Sequence, residues 1–360
     1  MAIIHVRPDD RLHLESIASL FGAASKIVTV TGAGISTNAG IPDFRSKNGV
    51  YSLGRRRRLF YSSVLSDPER RPLFYSSITK MRQDAKHVSP TTTHRFILGL
   101  RNAGKLVRDY TQNIDCLEEK VSLSTDLQKG PGSRSHHYRV DYKLRLQDNN
   151  RGVECVLLHG SLRRLRYSNC LGTYCWDKCD RETETLAGQE PLCPGCAEIS
   201  DARTAAGKRA TAIGTLRPDI VLYDELDPRA DLISAIARRD LLLLPDVLLI
   251  MGTSLTTHGV KNLVKDFAKA IHKRAGKVVF VNLTEPATSW DGVIDYWVEW
   301  DCDAWVQDLT DRQPALCSGS ILRVVIDLTG DGEHVEMTAS RGHDKGQGSS
   351  RDNPVDLTLS

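Results

Sequence analysis

TGAGISTNAGIPDFRS, residues 31–46, follows an apolar run at 27–30 that reads as a buried strand. Gly32 and Gly34 permit a tight turn with bare backbone facing outward, and strand, glycine turn and helix start together make a phosphate cradle. Thr37 stands where the dinucleotide fingerprint has its third glycine. A second strand ending in an acidic ribose anchor about twenty residues on is also missing, and a basic loop follows instead. That pattern disfavours an ordinary nicotinamide dehydrogenase.

With 360 residues, of which 40% are hydrophobic and 26% charged, the chain is long and apolar enough to bury a core as one or two domains. Its strongest apolar run, 241–251, is interrupted by Pro245 and Asp246, and the N-terminus has no signal-peptide pattern, so neither a membrane span nor secretion is expected. A net charge of +3 is too small to argue direct nucleic-acid binding. Nine cysteines, an odd number, with five of them crowded between Cys170 and Cys196, point to a metal site in a reducing compartment rather than a disulfide framework.

Taken in order, the chain opens with an amphipathic helix whose apolar face is Leu12, Ile17, Leu20 and Phe21, ended by Gly22. Residues 49–104 turn helical and polar, with a helix opening near Ser89-Pro90 and ending at Gly104. They read as an insertion, half of a small domain. The arginine run 55–58 reads as a solvated loop, with a nuclear-localisation signal or a contact for an acidic partner as the alternatives. The stretch 129–152 is polar and lacks either periodicity, which reads as a disordered insertion.

Each later apolar strand ends in a cluster of polar or small residues. The strand at 106–110 leads into Thr111, Gln112, Asn113, Ile114 and Asp115, and that at 153–158 into His159, Gly160 and Ser161. The strand at 247–251 leads into Gly252, Thr253 and Ser254, that at 278–281 into Asn282, and that at 296–299 into Asp301, Cys302 and Asp303. In an open parallel sheet, ligands bind beyond the carboxyl ends of the strands, so these clusters are expected to wall one crevice.

The unbroken GAGIS and GIPDFRS segments closely resemble the sirtuin family of NAD-dependent protein-lysine deacylases. The resemblance spans residues 16–309 and is nearest to the fungal branch that deacetylates histones, through YTQNIDCLE at 110–118, THGVKNLVKDFAKA at 257–270 and IDYWVEWDCDAWV at 294–306. It implies an α/β fold, a Rossmann-like parallel sheet with helices on both faces, plus a small discontinuous helical and zinc-binding domain. On this reading residues 1–49, 105–165 and 205–310 form the NAD-binding catalytic domain, and 50–104 with 166–204 form the small domain. The tail, 311–360, is expected to be disordered.

The resemblance also distributes roles. Gly32, Ala33, Gly34 and Ile35 would face the cofactor, with Asp43, Phe44 and Arg45 on a loop where the aromatic shields a reactive sugar and the arginine holds phosphate. Gln112, Asn113, Ile114 and Asp115 would meet ribose hydroxyls and the carboxamide, and Gly252, Thr253, Ser254, Asn282 and Cys302 the remaining cofactor. His159 would be the catalytic base, with Asn113 beside it. In the implied reaction the acetyl oxygen of a substrate lysine attacks the nicotinamide-bearing ribose carbon. Nicotinamide leaves, and His159 deprotonates a ribose hydroxyl; nicotinamide, O-acetyl-ADP-ribose and free lysine result. Val221, Leu222, Tyr223, Asp224 and Glu225 resemble the segment that pairs with the substrate peptide.

The family carries two cysteine pairs on zinc. Cys193-Pro-Gly-Cys196 forms one knuckle, while Tyr167 stands where the first pair would begin, so Cys170, Cys175, Cys193 and Cys196 are the expected ligands, with Cys179 as a further candidate. Asp224 and Trp300 occupy positions where the family usually has glycine. In the tail, residues 325–329 (VIDLT), followed by Asp331, Glu333 and Glu336, look like a SUMO-interacting motif, and 354–358 is a weaker echo. The sequence thus reads as an NAD-dependent histone deacetylase of the nucleus, acting in chromatin silencing. The alternatives are an ADP-ribosyl transferase and a weakened paralogue that binds NAD or chromatin partners.

Overall fold

The structure, a computed structural model, describes residues 2–44, 49, 58–132, 151–167 and 172–317. Arg45, Cys170, most of the 129–152 insertion and both tail motifs lie outside the described residues. The chain begins with strand β1 (Ile4–Val6), helix α1 (Arg11–Ala23) and β2 (Ile27–Thr31). Then come α2 (Arg70–His87), α3 (Thr92–Asn102), β3 (Leu106–Thr111), α4 (Leu117–Lys120) and β4 (Cys155–Leu157). A second group is β5 (Gly160–Arg166), β6 (Thr173–Cys175), α5 (Arg181–Leu186), α6 (Pro194–Ala205) and β7 (Arg217–Ile220). The last elements are α7 (Ala230–Leu242), β8 (Val247–Met251), α8 (His258–His272), β9 (Lys277–Val281), β10 (Tyr296–Val298) and α9 (Cys302–Arg312).

Every residue of β2, β3 and β8 is buried, as befits strands covered on both faces. They lie in a seven-stranded sheet of order β1-β10-β9-β8-β2-β3-β4 whose neighbours all run parallel. From β2 the chain builds outward through β3 and β4, then returns to β2's other side with β8, β9 and β10. The order of winding therefore reverses between β2 and β8, and this switch point is where such sheets hold ligands.

The alternation of side chains sorts the core into two layers. Val247, Leu249 and Met251 meet α1, α3 and α9 through Phe21, Ile97 and Trp305, while Leu248 and Ile250 meet α7 and α8 through Ile236, Val264 and Phe267. A third cluster packs α2 (Phe74, Tyr75, Ile78) on Leu162, Leu165, Trp176, Cys193 and Ile220, over an antiparallel sheet of order β6-β5-β7. Beneath α7, Arg108 and Asp240 form a fully buried bidentate pair at 2.6 and 2.9 Å, joined by the Tyr110 hydroxyl at 2.7 Å.

Several local expectations change. Leu12 is 78% exposed, and the buried face of α1 is Leu14, Ile17, Ala18 and Phe21, with Gly22 inside the helix. Helix α3 packs on the large sheet with α9 and not on the third cluster. Chain order persists past residue 311: α9 runs to Arg312, and Leu316 is buried in the first layer. The edge strand β1 has no counterpart in the sequence reading.

Candidate active site

The glycines of the opening motif act first on each other. Gly34 N donates to Gly252 O at 2.8 Å, and Gly32 N to Met251 O at 3.1 Å. A Cβ on Gly34 would lie 2.6 Å from Gly252 Cα, and one on Gly252, whose φ is +63°, would lie 2.6 Å from Ile35 N. Contact between the β2 and β8 loops thus demands these glycines, whereas the sequence reading assigned them to bare backbone turned outward. No α-helix follows directly; two 3-10 turns, Ala33–Ile35 and Thr37–Ala39, close at Gly40. Asn38 ties the second turn to Asp301 and Asp303, and Asp301 caps α9. Cys302 is buried with its thiol toward Val281 O at 3.8 Å, so it underlies the crevice. Trp300 is half-buried against the first core layer, which accommodates its bulk.

The β3 end is the hub. Gln112 Nε2 donates to Thr31 O (3.1 Å) and Thr253 Oγ1 (2.8 Å), joining three strand ends. Asn113 is held twice: its backbone N donates to Thr111 Oγ1 (3.2 Å) and its Nδ2 to Ser36 Oγ (3.2 Å). Ser36 donates in turn to Asp115 (2.7 Å), and Thr111 to Glu118 (2.7 Å). Ser254 is exposed beside Thr256, Asn282 Nδ2 donates to Thr284 O, and Ile114 packs into the third cluster.

Two participants were absent from the sequence reading. His94, Asp115 and Glu118 are buried with ligand atoms within 4.8 Å of one another. Thr91 N donates to His94 Nδ1 in a capping box, so Nε2 carries the proton, while Ser36 holds Asp115 and Thr111 holds Glu118. Burial holds His94 down at about 4, so its imidazole is neutral near pH 7, and pushes the Glu118 carboxyl well up, a rise that the Asp115 charge reinforces. The Thr91-x-x-His94 capping spacing was the available signal.

His159 is half-buried just past β4. Its Nδ1 lies 3.0 Å from Gln112 O, and because a carbonyl only accepts, Nδ1 carries the proton and Nε2 is the basic nitrogen. Burial lowers its pKa from 6.5, so the imidazole is neutral at physiological pH. Gly160 (φ +80°) follows because β7 approaches closely: a Cβ there would lie 2.2 Å from Asp219 O. Val221 N donates to His159 O at 2.9 Å, linking the imidazole to the expected substrate segment.

That segment is a turn. Glu225 N donates to Leu222 O at 3.3 Å, with Asp224 at φ +64°. Tyr223 pairs with the chain's own segment, N to Phe60 O at 2.8 Å and O from Ser62 N at 2.9 Å. The Glu225 carboxylate is taken by Arg166 and Arg217. Phe44 meets Phe60 edge to face, with ring centroids 5.4 Å apart. Asp43, next to Phe44 in the chain, is half-buried.

Of the expected zinc ligands, Cys193 is buried, Cys196 half-buried and Cys175 exposed. In β6, successive residues face opposite ways, and it is Tyr174 that turns toward Cys193 while Cys175 is exposed near Asp177. The fourth, Cys170, lies outside the described residues. Cys179 is also exposed.

A model of the Sir2 family matches residues 32–137. The chain is 36% identical to the NAD-dependent histone deacetylase HST3 of Candida albicans over 86% of its length and 64% of the relative's. It is 37% identical to the protein of that name from Saccharomyces cerevisiae, covering 87% of this chain and 70% of the relative. In fold it resembles a solved Sir2 homologue–NAD complex (TM-score 0.61, 21% identity, 88% of this chain and 98% of that one). It also resembles Sir2Tm bound to a propionylated peptide (TM-score 0.60, 20% identity, 84% and 100%). By motif, strand order and these relatives, the chain belongs to the Sir2 family.

Proposed function

We propose that this chain is an NAD-dependent protein-lysine deacetylase acting on acetylated histones in the nucleus. The histone deacetylases it resembles support the substrate class. The observation that carries the reaction is His159, neutral through burial, oriented by the Gln112 carbonyl, and left with Nε2 as a base.

When bound, NAD would supply a ribose carbon able to exchange its bond to nicotinamide, which is released, for a bond to the acetyl oxygen of the substrate lysine. Gln112, Asn113 and Thr253, joined across strand ends, hold the ribose. With Nδ2 committed to Ser36, Asn113 presents Oδ1 to a ribose hydroxyl. His159 Nε2 takes the proton of a ribose hydroxyl. Ala33, Asp43 and Phe44 would cover phosphate and sugar and keep water out. The substrate peptide lies against residues 221–225. We assign the third cluster to the small domain and α3 to the NAD-binding domain.

Nicotinamide release from NAD, measured with and without acetylated histone peptide, tests the reading. Peptide-dependent release is expected. NAD binding without release would support the weakened paralogue that Asp224 suggests, and label transferred from NAD to protein would support an ADP-ribosyl transferase. We further propose that residues 325–329 bind SUMO. Truncation after residue 317 should abolish that binding and spare deacetylation, and equal SUMO binding by the truncated chain would end the idea.

A further inference from the structure

We propose that the outer face of helix α8 is a docking surface for the phosphate backbone of duplex DNA. A net charge of +3 averages over the whole chain and conceals how the charge is spread. Lys261, Lys265, Lys269 and Lys273 follow one another at intervals of four residues, so the 3.6-residue helical repeat sets them along one side. At 1.5 Å per residue the row is about 18 Å long. Lys265, Lys269 and Lys273 are exposed and Lys261 is half-buried, while Val260, Val264, Phe267 and Ile271 hold the opposite face in the core.

Folding does not account for the row. Like charges four residues apart repel on a helix surface, and Lys261 stands in the first turn, at the positive end of the helix dipole. Only Lys269 and Lys273 lie where the dipole favours a cation. Asp266 is the single carboxylate of α8, and the nearby Asp295 carboxylate is taken by His272 at 2.8 Å and Lys277 at 3.0 Å. Lys265 lies over the Trp290 ring at 5.8 Å, which steadies it at the rim of a groove of about 460 Å³ between α8 and the turn at Gly292 and Val293. Lys269, His272 and Lys273 line the same groove. Arg238 and Arg239 are exposed on α7, which shares a core layer with α8, and add to the charge on this side of the sheet.

The chemistry of the row selects the partner. Lysine is a compact point charge that meets phosphate oxygens without a fixed geometry, whereas acidic protein segments are held by arginine forks and by apolar anchors seated in pockets. Over about 18 Å, one DNA strand offers roughly five phosphates, one for each 3.4 Å of axis. A row of four ammonium groups matches such a polyanion in length and asks nothing of its base sequence. The biological meaning of this partner rests on the histone-deacetylase reading, because histones carry DNA wrapped around them.

The test follows a fluorescent DNA duplex by anisotropy as the full chain is added, with neither NAD nor acetylated peptide present. With four phosphates neutralised, log affinity should fall against log salt with a slope of about −3 to −4, roughly 50- to 150-fold between about 50 and 200 mM. Joint replacement by Lys261→Gln, Lys265→Gln, Lys269→Gln and Lys273→Gln should cut affinity at low salt about tenfold or more and reduce the slope by about 3, with Tm and turnover of acetylated peptide unchanged. Deacetylation of nucleosomal histones should fall with it. If the fourfold variant does not fold, the pair Lys265→Gln and Lys269→Gln serves, with a slope change of about 2. Unchanged DNA affinity and slope overturn the proposal. So does tighter binding of polyglutamate of equal charge than of the duplex, which assigns the face to an acidic protein. Because DNA binding is read without turnover, an inactive chain would refute the deacetylase reading and leave this result standing.

Discussion

At the seven-stranded sheet the chemistry-bearing residues lie just past the strand ends, whereas at the three-stranded sheet they lie within a strand and its flanking turns. Past a strand end, the backbone turns, and Gln112, Asn113 and Thr253 reach one network whatever their parity along the chain. Inside a strand, parity decides: with Tyr174 directed inward, Cys175 must point out. Spacing in sequence is thus a sound guide to a crevice built from loops. It misleads for a cluster built on a strand whose inward face is unknown.

The comparison breaks most sharply at His159. His159→Ala should lower kcat by about 10²–10⁴ while Tm and NAD binding hold; retained turnover would remove it from the chemistry. In the unaltered chain, activity should fall as the imidazole protonates, so the acid limb of kcat/KM lies below 6.5 and the profile is flat from there to pH 8. A limb above pH 7 would contradict the buried, neutral imidazole.

Next in size is Asp240→Asn, which leaves Arg108 buried with its charge uncompensated and should cost about 3–5 kcal/mol of unfolding free energy. Denaturant unfolding checks this, and a loss below about 1 kcal/mol would mean that water reaches the pair. Gly34→Ala forces the β2 and β8 loops apart and should weaken NAD binding about tenfold or more, a cost on the order of 1–3 kcal/mol. Calorimetric titration giving unchanged affinity would show that the loop contact does not shape the cofactor site.

A smaller effect is expected at Asp224, held at φ +64° on the substrate turn. Asp224→Gly removes the left-handed strain and a carboxylate that a bound peptide would desolvate, so KM for acetylated peptide should fall a few-fold, about 1 kcal/mol, with NAD affinity constant. No response in peptide kinetics would free this turn from substrate binding. Cys175→Ser should be smallest, within about 0.5 kcal/mol in stability and without change in zinc content, because the side chain is exposed. A large loss there would restore Cys175 to the knuckle and erase the contrast between the sheets.

Much of the large sheet was legible because its strands are long apolar runs ending in polar clusters, and the same clusters named most of the candidate site. What escaped depends on long-range packing. Three residues of β1 carry too little pattern to announce a strand paired with β10. Leu14 rather than Leu12 faces inward because α1 is oriented by α9 and the sheet, which local periodicity cannot supply. Gly34 and Gly252 belong to one contact between segments far apart in sequence, so each alone read as an ordinary turn residue. His94 and Glu118 were hidden because buried polar groups gain meaning only when their partners are known.

The pairing of β2 with β8 has a consequence for how the chain is made. Ser25 and Asp246, bonded where these strands begin, are 221 positions apart, and His5 and Glu299 at the outer edge are 294 apart. At ribosomal speeds of about 5–20 residues per second, β2 emerges on the order of ten to forty seconds before its central partner exists. Throughout that interval one edge of an entirely apolar-flanked strand is unpaired, which invites chaperone binding. Nascent chains arrested before residue 247 should therefore remain chaperone-associated and protease-sensitive, and those extended past β10 by the length of the exit tunnel should become resistant together.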